Sequence, residues 1–283
     1  PQAKYQKDNC GGDGTQLTML RALELNENDF MILAEECNRC GVGFMSTPFD
    51  MQSIDFLSSV NMDYWKIPSG EITNLPYLRK IASKGGRIIL STGMSTIDEV
   101  KDAVTALSLG GVDKKDIYLL HCTTQYPTPH EAVNLRAMDS LKELGCAGVG
   151  YSDHTKGILV PIAAVARGAE IIEKHFTLDH DMPGPDHKAS LSTDELKEMV
   201  SSIREVEKIL GSEIKEVTAT EQPNITVARK SIVASRPIRK GESLTDHNIT
   251  TKRPGSGISP MLWDSVIGSH AIRDFLTDEP IEI

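Results

Sequence analysis

The residues best equipped for chemistry lie in two short blocks, Gly150-Tyr151-Ser152-Asp153-His154 and Glu173-Lys174-His175-Phe176-Thr177. A helix-length stretch separates them, so both histidines leave successive parallel strands on the same side. Two imidazoles at neighbouring strand ends can hold a divalent ion and leave positions for water and substrate oxygens, as a Lewis-acid site requires. With only two nitrogen ligands, Mn²⁺ or Mg²⁺ is a more natural occupant than a closed structural Zn²⁺ site. A single histidine would read as a core or surface residue. It is the pairing at adjacent strand ends that points to a metal.

Other segments carry complementary groups. Lys66-Ile67-Pro68-Ser69-Gly70-Glu71 offers a cation, a hydroxyl and flexible backbone, suited to a phosphate or carboxylate, and Ser91-Thr92-Gly93-Met94 adds hydroxyls and backbone N–H groups. Together they suggest an anionic substrate. The alternative is that Ser69 and Thr92 merely cap the helices that follow. Thr124-Gln125-Tyr126-Pro127-Thr128-Pro129 is a stiff loop in which Tyr126 can face the site, although turn chemistry alone accounts for its prolines. Pro183-Gly184-Pro185-Asp186-His187 presents Asp186, either to sugar hydroxyls or as part of a plain surface turn.

The elements that must position these groups alternate between short β-rich runs and longer amphipathic segments. Strands are expected at Gly43 to Ser46, Tyr64 to Ile67, Arg87 to Leu90, Ile117 to His121, Gly148 to Tyr151 and Glu170 to His175. Helices are expected around Met51-Ser59, Leu75-Lys84, Thr96-Leu107, Leu135-Leu144, Ile158-Arg167 and Thr193-Leu210. Polar residues follow nearly every strand, from Thr47 to His175. A doubly wound sheet gathers ligand groups at one switch point, whereas a closed barrel brings all its strand ends to one mouth. The pattern therefore predicts a TIM-type β/α barrel, of which six strands are visible. Residues 1–210 are assigned to the barrel and 211–224 to a linker. A small domain of short β runs follows at 225–283, including Ser231-Ala234 and His270-Ile272.

Composition narrows the function classes. A net charge of −10 argues against a broad nucleic-acid surface. No run of about 18 apolar residues marks a membrane span, and residues 1–13 lack the pattern of a secretion signal. Five cysteines scattered from Cys10 to Cys146 fit a reducing compartment, so a cytoplasmic location is expected. Cys37-Asn38-Arg39-Cys40 is a CxxC without a second pair, and it falls at the end of an apolar-periodic helix, Phe30 to Cys40. It is read as an ordinary helix end rather than a zinc or redox site.

The ordered motifs KIPSGE, LSTGMS, CTTQYPTP, GYSDHT, EKHFTLD, PGPDH and KRPGSG resemble the sialic acid synthase family over nearly the whole chain. The resemblance implies a (β/α)8 barrel followed by a small antifreeze-like (SAF) domain. It also implies condensation of phosphoenolpyruvate with N-acetylmannosamine, or a related N-acetylated amino sugar, and water, giving a nine-carbon 2-keto sugar acid and phosphate. Legionaminic or pseudaminic acid synthesis from a 2,4-diacetamido hexose is the close alternative. A sugar- or phosphate-binding barrel without catalysis is another.

By the same resemblance His154 and His175 hold Mn²⁺ or Mg²⁺, and Lys66 acts with them in catalysis. Thr47, Lys66, Ser69, Ser91 and Ser152 match the phosphoenolpyruvate side, and Glu71, Tyr126 and Asp186 the amino-sugar side. Arg253 resembles an arginine that the small domain inserts into a partner's barrel, so a domain-swapped homodimer is expected. The family's first two strands, with a proton-transferring glutamate, have no counterpart here, and the sequence is expected to begin inside a longer protein. A third possibility, a related barrel joining phosphoenolpyruvate to an aldose phosphate, is disfavoured by Arg253 and the antifreeze-like tail.

Overall fold

The computed structural model describes Gln6, Lys7 and residues 15–283, which divide into two compact units between Gly211 and Ser212. In the first unit, helices α1 (Gln16–Leu23), α2 (Glu27–Arg39) and α3 (Met51–Leu57) precede strand β1 (Tyr64–Ile67). Strand and helix then alternate through α4 (Leu75–Lys84), β2 (Arg87–Ser91), α5 (Ile97–Leu109) and β3 (Ile117–Cys122). The unit continues with α6 (Ala137–Lys142), β4 (Gly148–Asp153), α7 (Leu159–Ala166), β5 (Ile172–Lys174) and α8 (Thr193–Leu210). The strands form one parallel sheet in sequence order, β1-β2-β3-β4-β5. This is the winding of a β/α barrel, in which each helix returns the chain to the next strand on the same side.

The helices start where local chemistry allows. Asn74 accepts the Tyr77 N–H at the head of α4, and reciprocal capping boxes, Thr96 with Glu99 and Ser192 with Glu195, open α5 and α8. Side chains alternate across each strand, so the register sorts them into two faces. One face carries Trp65, Ile67, Ile88, Leu90, Ile117, Leu119, Val149 and Tyr151, which pack with Leu78, Ile81, Val104, Leu107 and Leu141 from the helices into one core. Lys66, Ser91, Leu120, Gly150, Ser152 and Glu173 belong to the other, inner face. A Cβ on Gly150 would come within 2.4 Å of the Ile171 carbonyl oxygen, so only glycine lets β5 approach there.

Three expectations require correction. Gly43 to Ser46 is extended but joins no ladder, and Gly43 lies against the Asp63 side chain instead of pairing with β1. The sheet therefore has five strands. Helix α9 (Gln222–Ala228) overlaps the end of the expected linker, because Pro223 sits in its first turn, where the missing N–H costs nothing. In the second unit β6 (Ser231–Ala234) pairs antiparallel with β7 (Ile249–Lys252), but His270 to Ile272 is no strand. That segment is held through Ser243↔His270 and by single backbone bonds such as Ala271 N–H to the Glu242 carbonyl. Ile232, Ile238, Leu244, Ile249 and Phe275 form the separate core of this unit, to which the short helix α10 (Trp263–Val266) adds Val266.

The CxxC pair closes α2 as an ordinary helix end. The Cys40 N–H donates to the Glu36 carbonyl, and both cysteines are free thiols. Among the described residues no helix is long and apolar enough to cross a membrane.

Candidate functional site

The polar groups of the inner face meet near the C-terminal ends of β1, β2, β4 and β5. Lys66 is buried, and its Nζ donates to Ser91 Oγ at 2.9 Å and lies 3.5 Å from Glu173 Oε2. Ser152 Oγ donates to Glu173 Oε1 at 2.7 Å. Glu173 thus bridges the cation and a hydroxyl, and it compensates a charge whose burial would otherwise be costly. Ser69 Oγ accepts the Gly93 N–H at 3.0 Å and contacts Cys122 Sγ at 3.2 Å. Gly93 is required there, because a Cβ would come within 2.9 Å of Ser69 Oγ and Cys122 Sγ.

The capping alternative fails for both hydroxyls. Asn74 and Thr96 cap the following helices, while Thr92 Oγ1 donates to the Leu120 carbonyl.

His154 and His175 come one residue after β4 and β5 and continue the inner-face alternation of Ser152 and Glu173. Their ring centroids are 5.4 Å apart, a separation that two imidazoles sharing one ion at about 2.1 Å per nitrogen can span. His154 Nδ1 lies 2.7 Å from the Thr123 carbonyl oxygen. That contact makes Nδ1 the donor and leaves Nε2 with its lone pair, the tautomer a metal needs. Burial pushes the His154 pKa below the ordinary imidazole range, against the opposing pull of the Thr123 carbonyl, and so favours the neutral ligand form. The Tyr126 ring packs against His154 at 4.1 Å with the planes tilted by 39°, and meets His175 edge-on at 5.6 Å.

Asp186 Oδ2 is 3.8 Å from His175 Nδ1, and its buried Oδ1 has no hydrogen-bond partner. This orphaned acceptor beside the His175 imidazole suits a site whose remaining contacts come from a ligand. Among the described residues no three or more of His, Cys, Asp and Glu form a ligand cluster. The donor set therefore fits a divalent ion that keeps open positions and does not fit a closed structural metal.

The remaining expected residues are less tightly gathered. Half-buried Thr47 follows the unpaired extended segment, and Glu71 accepts from Asn74 Nδ2 at 2.6 Å. Arg253 lies in the second unit, exposed, with its Nε donating to the Ala228 carbonyl at 3.0 Å. Glu173, which bridges Lys66 and Ser152, is a functional residue that the motif EKHFTLD contains without marking its role. Its position two residues before His175 was the available signal, since period-two alternation puts both on one face. The Thr123 carbonyl, a backbone group, leaves no mark on residue type.

A parallel barrel sheet that gathers Lys66, Ser91, Ser152 and Glu173 beside His154 and His175 at its strand ends has the layout of a β/α-barrel enzyme. The chain matches the model of the NeuB family over residues 1–215 and that of the SAF domain over residues 229–282. It belongs to the NeuB family.

It is 48% identical over 280 residues to N,N'-diacetyllegionaminic acid synthase of Campylobacter jejuni, covering 99% of this chain and 84% of that one. It is 47% identical over 270 residues to the protein of the same name from Legionella pneumophila, covering 95% of this chain and 76% of that one. The structure of N-acetylneuraminic acid (sialic acid) synthetase from Leptospira borgpetersenii is similar, with a TM-score of 0.71 and 33% identity, covering 78% and 76% of the two chains. These similarities make the chain a sugar-acid synthase-type enzyme.

Proposed function

We propose that this enzyme condenses phosphoenolpyruvate with the open-chain aldehyde of an N-acetylated amino sugar and water, releasing phosphate and a nine-carbon 2-keto sugar acid. The observation that carries the reading is the inner-face cluster itself, with the Lys66, Ser91 and Ser152 group beside His154 and His175. A 2,4-diacetamido hexose is favoured as acceptor over N-acetylmannosamine, because two relatives at 47% and 48% identity are N,N'-diacetyllegionaminic acid synthases.

In the proposed reaction C3 of phosphoenolpyruvate forms a bond to the aldehyde carbon, water adds at C2, and the C2–O bond breaks to expel phosphate. Mn²⁺ or Mg²⁺ held by His154 and His175 would supply Lewis-acid polarisation of the aldehyde. Lys66 provides the fixed positive charge for the phosphate or carboxylate, with Ser91, Ser152, Ser69 and Thr47 as hydroxyl partners. Before substrate arrives, Glu173 already satisfies Lys66, so an incoming anion exchanges one negative partner for another. Tyr126, packed against His154, walls the sugar side, where Glu71 and Asp186 accept from sugar hydroxyls. In a domain-swapped homodimer the exposed Arg253 of one copy meets the N-acyl group in the barrel of the other.

The test is phosphate release from phosphoenolpyruvate with a panel of aldehyde sugars, with and without Mn²⁺. Release should require an N-acetylated amino sugar, be fastest with a 2,4-diacetamido hexose, and depend on the metal. No release with any such sugar would end the proposal. Mixing inactive His154→Ala with inactive Arg253→Ala should restore part of the activity if the arginine works in the partner's barrel, whereas no recovery would remove the swap.

A further inference from the structure

The largest departure from the apolar character of the helix-facing side is a buried ion pair at its end. Asp153 and Lys174 are paired in the β4–β5 ladder, and their side chains are 0% and 3% exposed. Lys174 Nζ is 2.5 Å from Asp153 Oδ2 and also donates to the Thr155 carbonyl. Asp153 accepts in addition from Thr155 Oγ1 and from the Thr155 N–H, each at 3.0 Å. The residues on both sides of His154 are thus closed onto the residue immediately before His175.

Neither charge faces the inner side, and no step of the proposed reaction uses either one. Stability does not account for them, because a buried ion pair is about equal to, or worse than, well-packed apolar side chains of the same shape. What the pair does is mechanical. β5 has only three residues, and Asp153↔Lys174 is the last rung of its ladder before the histidines. A terminal rung frays unless something holds it. The His154 ring has an anchor of its own in the Thr123 carbonyl, whereas His175 is held through its backbone, whose carbonyl accepts the Leu191 N–H at 2.8 Å, and its ring has only Asp186, at 3.8 Å, within salt-bridge reach. Leu191 ties the His175 backbone to the segment that follows, and the Asp153–Lys174 rung is the last that ties it directly to the strand carrying His154.

We infer that the buried Asp153–Lys174 pair, closed by Thr155, is a positioning element that sets the spacing of His154 and His175 and thereby the affinity of the site for a divalent metal. The inference rests on reading those two histidines as the metal ligands. Loss of outer contacts that orient metal-binding side chains weakens binding by about 10- to 100-fold.

The experiment titrates Mn²⁺ into the full chain and follows the free ion by electron paramagnetic resonance. The variants are Asp153→Asn/Lys174→Met, which removes both charges while keeping similar shapes, and Thr155→Val, which removes one hydroxyl and leaves both charges. The double variant should keep the far-ultraviolet circular dichroism of the wild type and bind Mn²⁺ about 10- to 100-fold more weakly. Its KM for phosphoenolpyruvate at saturating Mn²⁺ should not change, a split that general loosening of the fold would not produce. Thr155→Val should weaken Mn²⁺ binding severalfold, and it decides the matter alone if the double variant does not fold.

Wild-type Mn²⁺ affinity in folded Asp153→Asn/Lys174→Met and in Thr155→Val, with His154→Ala and His175→Ala losing the ion, would overturn this inference only. Retention of Mn²⁺ by both histidine variants would overturn the ligand reading and this inference with it.

Discussion

The two faces of the same five strands have opposite chemistry. Ile67, Leu90, Leu119 and Tyr151 point to the helices and are buried among aliphatic side chains. Their immediate chain neighbours Lys66, Ser91 and Ser152 point inward and bond to one another or to Glu173. One residue along a strand exchanges a stabilising role for a chemical one, because the side-chain period is two. Substitutions on the outer face should therefore read out in folding, and those on the inner face in turnover. The Asp153–Lys174 pair, charged on the apolar side, stands between the two categories.

The sharpest way to break this division is at the histidines. His154→Ala or His175→Ala should lower phosphate release by about 10³-fold or more, the several kcal/mol that Lewis-acid stabilisation contributes, while thermal unfolding changes little. Metal-dependent turnover that survived in both variants would dissolve the inner-face assignment. Next in size, Leu90→Ala should cost about 3 kcal/mol of stability through lost burial and a residual cavity, with KM for phosphoenolpyruvate unaltered in the molecules that remain folded. A changed KM with unchanged denaturant midpoint would reverse the roles of the faces.

Lys66→Met should raise KM for phosphoenolpyruvate by about 10²-fold, the equivalent of one lost hydrogen bond to a charged group. An unchanged KM would remove Lys66 from the anion site. The smallest effect concerns His121, which contacts the Val133 carbonyl at 2.8 Å and whose pKa is lowered by burial. With a folded-state pKa below the unfolded one, its contribution is fully present above the unfolded value near 6.5 and is lost as pH falls through the folded value. Melting temperature should decline on acidification below about pH 6.5, and His121→Gln should flatten that decline; an identical pH profile in the variant would remove His121 as a cause.

Much of this arrangement was legible in the residue order. The helices at Leu75–Lys84 and Thr193–Leu210 appear with the predicted bounds, since an apolar period and a capping residue coincide at Asn74 and Ser192. β4 runs further than its apolar stretch, through Ser152 and Asp153, because ladder pairing to Glu173 and Lys174 extends it beyond the point where hydrophobicity stops. Gly43 to Ser46 has strand-like residues, but pairing is a property of two segments, and this one finds no ladder partner. Gln222–Ala228 was obscured by Pro223, a helix breaker inside a helix and a helix starter at its first turn.

The sequence by itself determined the barrel class, the strand that delivers each histidine and the inventory of polar groups at the strand ends. Each follows from periodicity and residue type, which are local properties. Tertiary structure alone decided that Glu173 bridges Lys66 and Ser152, that the Thr123 carbonyl orients His154, and that Asp153 and Lys174 close behind the two rings. Those contacts join residues 21 to 107 positions apart; strand register brings Ser152 to Glu173 and Asp153 to Lys174, while Lys66 on β1 reaches Glu173 on β5 only across the inner face of the curled sheet. The two histidines are legible as a pair; the distance between them is a property of the sheet.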